Sequence, residues 1–290
     1  MQQQQTVCDF NSSDSWVILS PIEQSIKRKI ETVGTPLKDW DIQINYGIKT
    51  GFNDAFIIST DKREEILANC KTEDERKRTA ELIRPILRGR DIKRYGYVDN
   101  GLYLINTHNG VRGRIPRIKI EDYPAVKAHL DKYWDKIEKR ADQGDTPYNL
   151  RNCAYLEDFF KPKIIYPNMT KYMPFVFDDK MYLTNQKCFI ITGKYVAYLT
   201  AFFNSSLFKY CFRDSFPELQ GGTRELSKIF FDKIPVYEVN ETQNLIFQDA
   251  VEDIQKEYNK QKAQRIDSML FDLYGLTAEE RKVIGFVEIL

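Results

Sequence analysis

The sequence predicts an α+β fold, with a mixed, mostly antiparallel sheet and a helical C-terminal arm. Three observations carry this reading. Short apolar runs bounded by turn residues cluster at 42–59 and again at 163–192, as strands joined by tight connections do. Apolar residues recur at three- and four-residue spacing over 14–33, 122–140 and 241–274, the mark of helices with one buried face. Finally, 290 residues with 42% hydrophobic and 13% aromatic content can fill one large core or two small ones, and 29% charged residues set aside a linker, a collagen-like repeat or a disordered tail.

The elements follow in order. Over 14–33, Asp14 or Ser15 can cap a helix in which Ile18, Ile22, Ile26 and Ile30 repeat every four residues, with Pro21 weakening its first turns so that the helix proper begins there. Gly34, Thr35 and Pro36 end it. Ile42, Ile44, Tyr46 and Ile48 alternate with polar residues as a strand, Gly47–Gly51 makes a tight connection, and Ala55–Ser59 is a second strand. Residues 61–84 read as a charged helix broken by Pro85, and Leu102–Ile105 as a short strand. In the 122–140 helix, Tyr123, Val126, Leu130, Trp134 and Ile137 share a face.

Four short strands follow, at 164–166, 175–177, 181–184 and 188–191, with Asp178-Asp179-Lys180 as a turn between two of them. Tyr195–Arg213 is an apolar helical pair broken at Ser205-Ser206. Thr223, after the flexible Gly221-Gly222, caps a short helix to Phe230, and Pro235 ends that unit. Residues 241–274 form one long helix with a stripe of Phe247, Val251, Ile254, Tyr258, Ile266, Met269, Leu270 and Leu273. At 1.5 Å per residue that is about 40 Å, so part of the stripe needs a partner, for which the helix at 14–33 is the natural candidate. Thr277 and Glu280 form the capping box of a last helix.

Charge is uneven. The net charge is +1, yet 76–119 holds twelve Lys and Arg against three Asp and Glu, a net of +9 that leaves −8 on the rest. A basic segment on an acidic chain is the footprint of a protein that lays one continuous face on a polyanion, and seven of the twelve are Arg from Arg84 on, whose planar fork suits phosphates and guanine edges. Residues 238–290 carry eleven acids and six bases and should not lie on such a polyanion. Five cysteines, 8, 70, 153, 188 and 211, odd in number and without a CxxC pair, suit reduced thiols in a cytoplasm. The uncharged Tyr195–Phe208 run is too short to span a bilayer, and the N-terminus lacks the basic and apolar blocks of a secretion signal, so no membrane partner is expected.

Catalytic patterns are missing. There is no GxxxxGK[ST], no strand followed by GxGxxG, no HExxH and no GxSxG, and His108 and His129 have no ligand partners at metal spacing. Two Glu-x-Lys tripeptides, Glu75-Arg76-Lys77 after Asp61 and Glu280-Arg281-Lys282 after Asp267, match the acid pattern of metal-dependent nucleases, but both fall in solvent-facing helical patterns rather than at a strand end.

One stretch after another resembles a known family in the same order. Gly47-Ile48-Lys49-Thr50-Gly51-Phe52-Asn53-Asp54-Ala55-Phe56-Ile57-Ile58 is similar to a signature of the TaqI-like C-terminal specificity domain, the DNA target-recognition part of adenine-specific restriction–modification methyltransferases, including fused type IIG enzymes. Arg84-Pro85-Ile86-Leu87-Arg88-Gly89-Arg90-Asp91-Ile92-Lys93-Arg94 resembles its next motif, and Leu102–Ile105 and the helix ending at Arg140 follow. Lys161-Pro162-Lys163-Ile164-Ile165-Tyr166, Ile234-Pro235-Val236 and Ile266-Asp267 through Glu280 resemble its later ones. The likeness covers about 40–290.

The resemblance implies sequence-specific recognition of double-stranded DNA and a partner methyltransferase or nuclease domain or subunit. The upstream S-adenosylmethionine loop and Asn-Pro-Pro-Tyr/Phe motif of such enzymes do not appear, so no catalysis and no cofactor are expected in this chain; S-adenosylmethionine, with or without Mg²⁺, goes with the catalytic domains. The expected division is 1–40 as a connecting helix, 41–238 as the target-recognition domain and 239–290 as a helical spacer. Candidate DNA-binding residues are Lys49, Thr50 and Asn53 in the first motif; Arg84, Arg88, Arg90, Lys93 and Arg94 in the second; Arg112, Arg114 and Arg117 in a second basic loop; Tyr172 for stacking; and Arg224 beside a helix N-terminus. One of Arg88 and Arg90 can instead pair with Asp91, and Tyr166 and Tyr182 suit core packing. The rival readings are a stand-alone metal-dependent nuclease and a helix-mediated protein interaction module.

Overall fold

Ser20 opens the first helix of the computed structural model, which describes residues 19–288. Its hydroxyl accepts from the Glu23 amide while Glu23 reaches back to the Ser20 amide, a capping box that starts the helix at Pro21 and runs it to Val33. Pro at the first helical position costs nothing because its missing N–H would be unpaired there anyway. Asp14, Ser15 and Ile18 lie outside the described residues.

Four strands form a fully antiparallel sheet in the order Val176–Asp178, Lys163–Pro167, Cys188–Gly193, Ile42–Tyr46. In its register Ile190 sits between Ile165 and Asn45, and Phe189 between Tyr166 and Tyr46. Side chains alternate across a strand, so Ile164, Tyr166, Phe189 and Ile191 enter one core and Ile165, Cys188 and Ile190 the other. Burial on both faces explains why Ile164-Ile165-Tyr166 and Phe189-Ile190-Ile191 are apolar without alternation. A second sheet, in the order Leu183–Thr184, Ile83–Leu87, Leu102–Ile105, Ile57–Ser59, belongs to the second core and is mixed: Leu183–Thr184 runs parallel to Ile83–Leu87 and the other pairs are antiparallel.

Helices cover the first core. Val196–Asn204 is buried along its whole length, and Ser205 turns the chain by accepting from Phe208 N while donating to Phe202 O, which starts Ser206–Phe212. The expected pair broken at Ser205-Ser206 is therefore present. The expected 241–274 helix is two, Glu241–Lys256 and Lys260–Leu273; Glu257 is extended, and Asn259 caps the second by accepting from Lys262 N. Nor does the stripe form a projecting arm. Phe247, Val251, Ile254, Ile266 and Leu270 join the core beneath the Val196–Asn204 helix, while Tyr258 lies in the break, partly exposed. Ile26 and Ile30 enter the same core, and Gly34–Pro36 pairs with Pro235–Tyr237. One core thus crosses both of the boundaries expected at 40 and 238.

Other differences have local causes. Residues 61–84 split into Thr60–Ala68 and Glu73–Leu82 because Thr72 caps a fresh helix by accepting from Glu75 N. Pro85 lies within the Ile83–Leu87 strand, whose Leu183–Thr184 neighbour begins only opposite Ile86, so no ladder partner on that side meets the missing N–H. Before the Ile57–Ser59 strand the chain makes a helical turn, Asn53–Phe56. The 122–140 helix is Pro124–Asp131 and Trp134–Ile137. Thr223 caps nothing: Arg224–Glu225 pairs as a strand with Met169–Thr170, and only Lys228–Phe231 is helical.

Candidate nucleic-acid interface

Chain segments from four places in the sequence, near 53–57, 88–94, 167–174 and 185–187, wall an open cleft of about 830 Å³. The 88–94 wall is set by one carboxylate. Asp91 is buried and accepts from the Arg88 amide at 2.8 Å, from the Arg88 guanidinium at 3.0 Å on each oxygen, and from Asn100 at 2.9 Å. Arg88 is therefore spent inside the protein, and the turn it closes leaves Arg90 exposed over the cleft. Gly89 packs this turn onto its neighbours: a Cβ there would stand 3.0 Å from Lys187 O and 3.2 Å from Pro167 Cβ. Lys93 is exposed on the Ile92–Lys93/Gly96–Tyr97 hairpin. Arg94 is 5% exposed and donates to Asn204 O at 2.7 Å and Val287 O at 2.8 Å; it is an internal clamp, correcting its expected role as a surface contact.

The Gly47–Phe56 segment needs its first glycine for protein, not phosphate. Gly47 N donates to Cys188 O and Ile48 N to Thr184 O, and a Cβ on Gly47 would lie 2.0 Å from Asn185 O. Gly47→Ala should push this segment off the 184–188 turn and lower the midpoint of thermal unfolding by several degrees, measurable by calorimetry. Thr50 is buried, its hydroxyl donating to Asn53 Oδ1 at 2.6 Å, so it orders the loop rather than touching a ligand. Lys49 is half-buried and outside the cleft lining; Asn53 is exposed and within it.

Sequence reasoning missed the residue that holds this loop. The Arg140 guanidinium is buried and donates to four carbonyls, those of Thr50, Asp142, Pro147 and Asn149, and lies 4.4 Å from the centre of the Phe56 ring. Burial pulls its pKa down to about 10, so it stays charged at neutral pH. His129 Nε2 lies 2.9 Å from Ala55 O, and burial holds its imidazole below the usual range, as a neutral donor.

Opposite, Thr170 Oγ1 accepts from the amides of Tyr172 and Met173, folding a turn in which Met173 takes φ +51° and Tyr172 stands half exposed at the rim. The turn is gripped from behind. Lys209, buried against the Phe175 and Phe208 rings, donates to Met173 O, and the Asn204 amide pairs with both Phe175 N and Phe175 O. Burial drives the Lys209 amine well below its ordinary pKa, and Arg94 and Arg213 push the same way. Arg94 and Asn204 thus tie the two walls to one buried polar network.

The remaining candidates lie elsewhere. Arg84 is half-buried, its guanidinium 5.7 Å from the Phe160 ring centre. Arg112, Arg114 and Arg117 sit on a loop closed by a Val111–Ile115 bridge, with Arg114 on Glu157 at 2.6 Å and Arg117 on Asp145 at 3.4 Å. Arg224, expected to reach a phosphate, is 7% exposed and donates to Phe216 O, Asp214 and Glu218. The expectation of one continuous basic face over 76–119 is corrected accordingly: the cleft takes Arg88, Arg90, Lys93 and Arg94 from that segment and nothing from Arg76–Arg78 or Arg112–Lys119. Asn168, Asn185 and Lys187 also line the cleft and went unsignalled, because they come from turns outside the recognised motifs, and Asp54, though inside the first motif, was not among the expected contacts.

Three of the four acids of the nuclease-like pattern are structural, and the fourth, Asp61, is exposed at the start of the Thr60–Ala68 helix. Glu75 accepts from Lys71 N and Ala125 N; Glu280 forms the Thr277 capping box and takes Lys29 and Ser25; Asp267 accepts from Ser206 N and Oγ. Tyr166 is fully buried, stacked on Phe189, and Tyr182 donates to Asp99, as core roles require. Among the described residues Cys70, Cys153, Cys188 and Cys211 are unpaired, and no helix is long and apolar enough to cross a membrane.

The fold is similar to that of known proteins. Two solved structures have a similar fold: a type IIL restriction–modification enzyme, MmeI, in complex with DNA, at 12% identity and TM-score 0.57 over 84% of this chain and 34% of that one, and a type IIG restriction endonuclease, BpuSI, at 13% and 0.52 over 87% and 32%. The chain spans about a third of the length of each. Residues 84–236, from the cleft's arginine turn to the strand that closes on Gly34–Pro36, match the TaqI-like C-terminal specificity domain, and the chain belongs to that family.

Proposed function

We propose that this chain is the sequence-reading module of a restriction–modification adenine-N6 methyltransferase, of the type IIG kind that also cleaves, and that it grips double-stranded DNA in the cleft. The observation that carries this is the cleft's chemistry: Arg90, Lys93 and Lys187 are exposed along its walls, with no ion pair to any described residue, beside an exposed Tyr172. Cations left unpaired along the cleft suit phosphates, which position a duplex, while Asn53 and Tyr172 on the same lining would be free to meet a groove edge. Methyl transfer from S-adenosylmethionine, and Mg²⁺-dependent cleavage, belong on this reading to a catalytic domain or partner subunit. The internal employment of Glu75, Glu280 and Asp267 supports that division over a stand-alone nuclease, and burial of the C-terminal stripe supports it over a docking helix.

The test is fluorescence anisotropy of the purified chain with a labelled duplex, followed by selection from a randomised duplex library. Three phosphate contacts give a log–log salt slope of about −2.7, or roughly 40-fold weaker binding at 200 mM than at 50 mM salt. Salt-insensitive or absent binding, or selection that enriches no motif, would contradict the reading.

A further inference from the structure

Asp54 is the one carboxylate on the cleft lining among the described residues, and it is exposed, with neither a hydrogen bond nor an ion pair. Three or more cations share that cleft, yet none neutralises it. Its support is rigid. Ala55 and Phe56, which follow it, are 0% exposed; His129 holds Ala55 O, Arg140 lies on the Phe56 ring and on Thr50 O, and the Thr50 hydroxyl fixes the Asn53 side chain by its oxygen. Among the described residues the Asn53 amide nitrogen has no partner, which leaves it as a donor beside the Asp54 acceptor.

A bare carboxylate repels phosphate, so its presence in a cleft for a polyanion needs a different partner. On the major-groove edge only the exocyclic amines, N4 of cytosine and N6 of adenine, offer N–H donors, and a carboxylate accepts from these and is repelled by the O6 and O4 acceptors of guanine and thymine. We propose that Asp54 is a specificity-determining residue that accepts from the exocyclic amine of one cytosine or adenine in the recognised sequence, with Asn53 fixed beside it as a donor. This rests on the DNA-reading function proposed above. Asp54 carries discrimination and lowers non-specific affinity; Arg90, Lys93 and Lys187 carry affinity. An acceptor held on a pinned turn reads better than one on a mobile loop, because its geometry is set before DNA arrives.

The experiment repeats the randomised-duplex selection with wild type, Asp54→Ala and Asp54→Asn, each first compared with wild type in thermal unfolding. The wild-type motif should contain a position restricted to one amine-bearing base; Asp54→Ala, which removes the acceptor, should lose discrimination there by about tenfold, Asp54→Asn, which keeps one acceptor oxygen and adds a donor, should shift the preference there towards adenine, and both should bind random duplex at least as tightly. Purine in place of adenine, or 2-pyrimidinone in place of cytosine, at that position should weaken wild-type binding about tenfold and leave Asp54→Ala unchanged. If wild type selects a motif and the variants select the same motif with equal discrimination, the assignment of Asp54 is wrong and the DNA-reading function stands. If wild type selects nothing, both fall.

Discussion

Replacing Arg90 and Lys93 together by alanine should weaken duplex binding about 10- to 100-fold at 0.1 M salt and make the log–log salt slope shallower by about two, since each phosphate contact contributes about 0.9. The fold should not notice. Both side chains are exposed, and neither has an ion pair with a described residue, whereas Arg88 between the same glycine and strand is locked to Asp91. The contrast within one motif is the point: Arg88→Ala should cost stability by leaving Asp91 short of its partner, and Arg90→Ala should cost affinity alone. Arg112→Ala, on a loop outside the cleft, should change affinity less than threefold.

Arg140→Ala should produce the largest loss of stability of any single substitution at the site. The guanidinium serves four carbonyls, two buried and two partly buried, and lies on the Phe56 ring, and removing it leaves those acceptors without their donor. Losses of this kind cost about 3–5 kcal/mol, which for a chain of this size is roughly a 10 °C drop in the unfolding midpoint, measurable by calorimetry. Lysine should rescue little, because a single ammonium cannot reach carbonyls arranged around a planar fork. DNA binding should fall as well, because Thr50 O is one of the four acceptors and the turn it anchors carries Asn53 and Asp54 to the cleft.

How far the sequence revealed this molecule depends on the kind of interaction. Capping and periodicity were legible. The Thr277–Glu280 box, the Ser205 break and the strands near 163–167 and 188–193 depend on residues close together in the chain, where local chemistry decides. The 241–274 stripe misled because it continues in phase across Glu257–Asn259: two helices folded back on one core keep the same apolar residues that one straight helix would. At the site, the arginine turn and Tyr172 were legible as a basic, glycine-punctuated loop and an aromatic. What could not be read was which arginines face inward. Arg88 and Arg90 flank one glycine, and Arg94 follows them, but their partners are Asp91, the cleft, and Asn204 O, the last 110 residues away. Arg140 and Arg224 were unreadable in the same way: Arg140 gathers the Thr50 carbonyl from 90 residues away with three nearby loop carbonyls, and Arg224 turns onto Phe216 O, Asp214 and Glu218, and neither set of partners follows a periodic spacing.

Hydrogen exchange of the chain with and without a duplex carrying its selected motif tests the central claim most directly. Slowed exchange is expected in the four stretches that wall the cleft, near 53–57, 88–94, 167–174 and 185–187, with the Arg112–Arg117 loop and the helices over 241–273 unchanged. Protection confined to the 110–117 loop or to the C-terminal helices, with the cleft exchanging as in the free chain, would place the DNA elsewhere and contradict it.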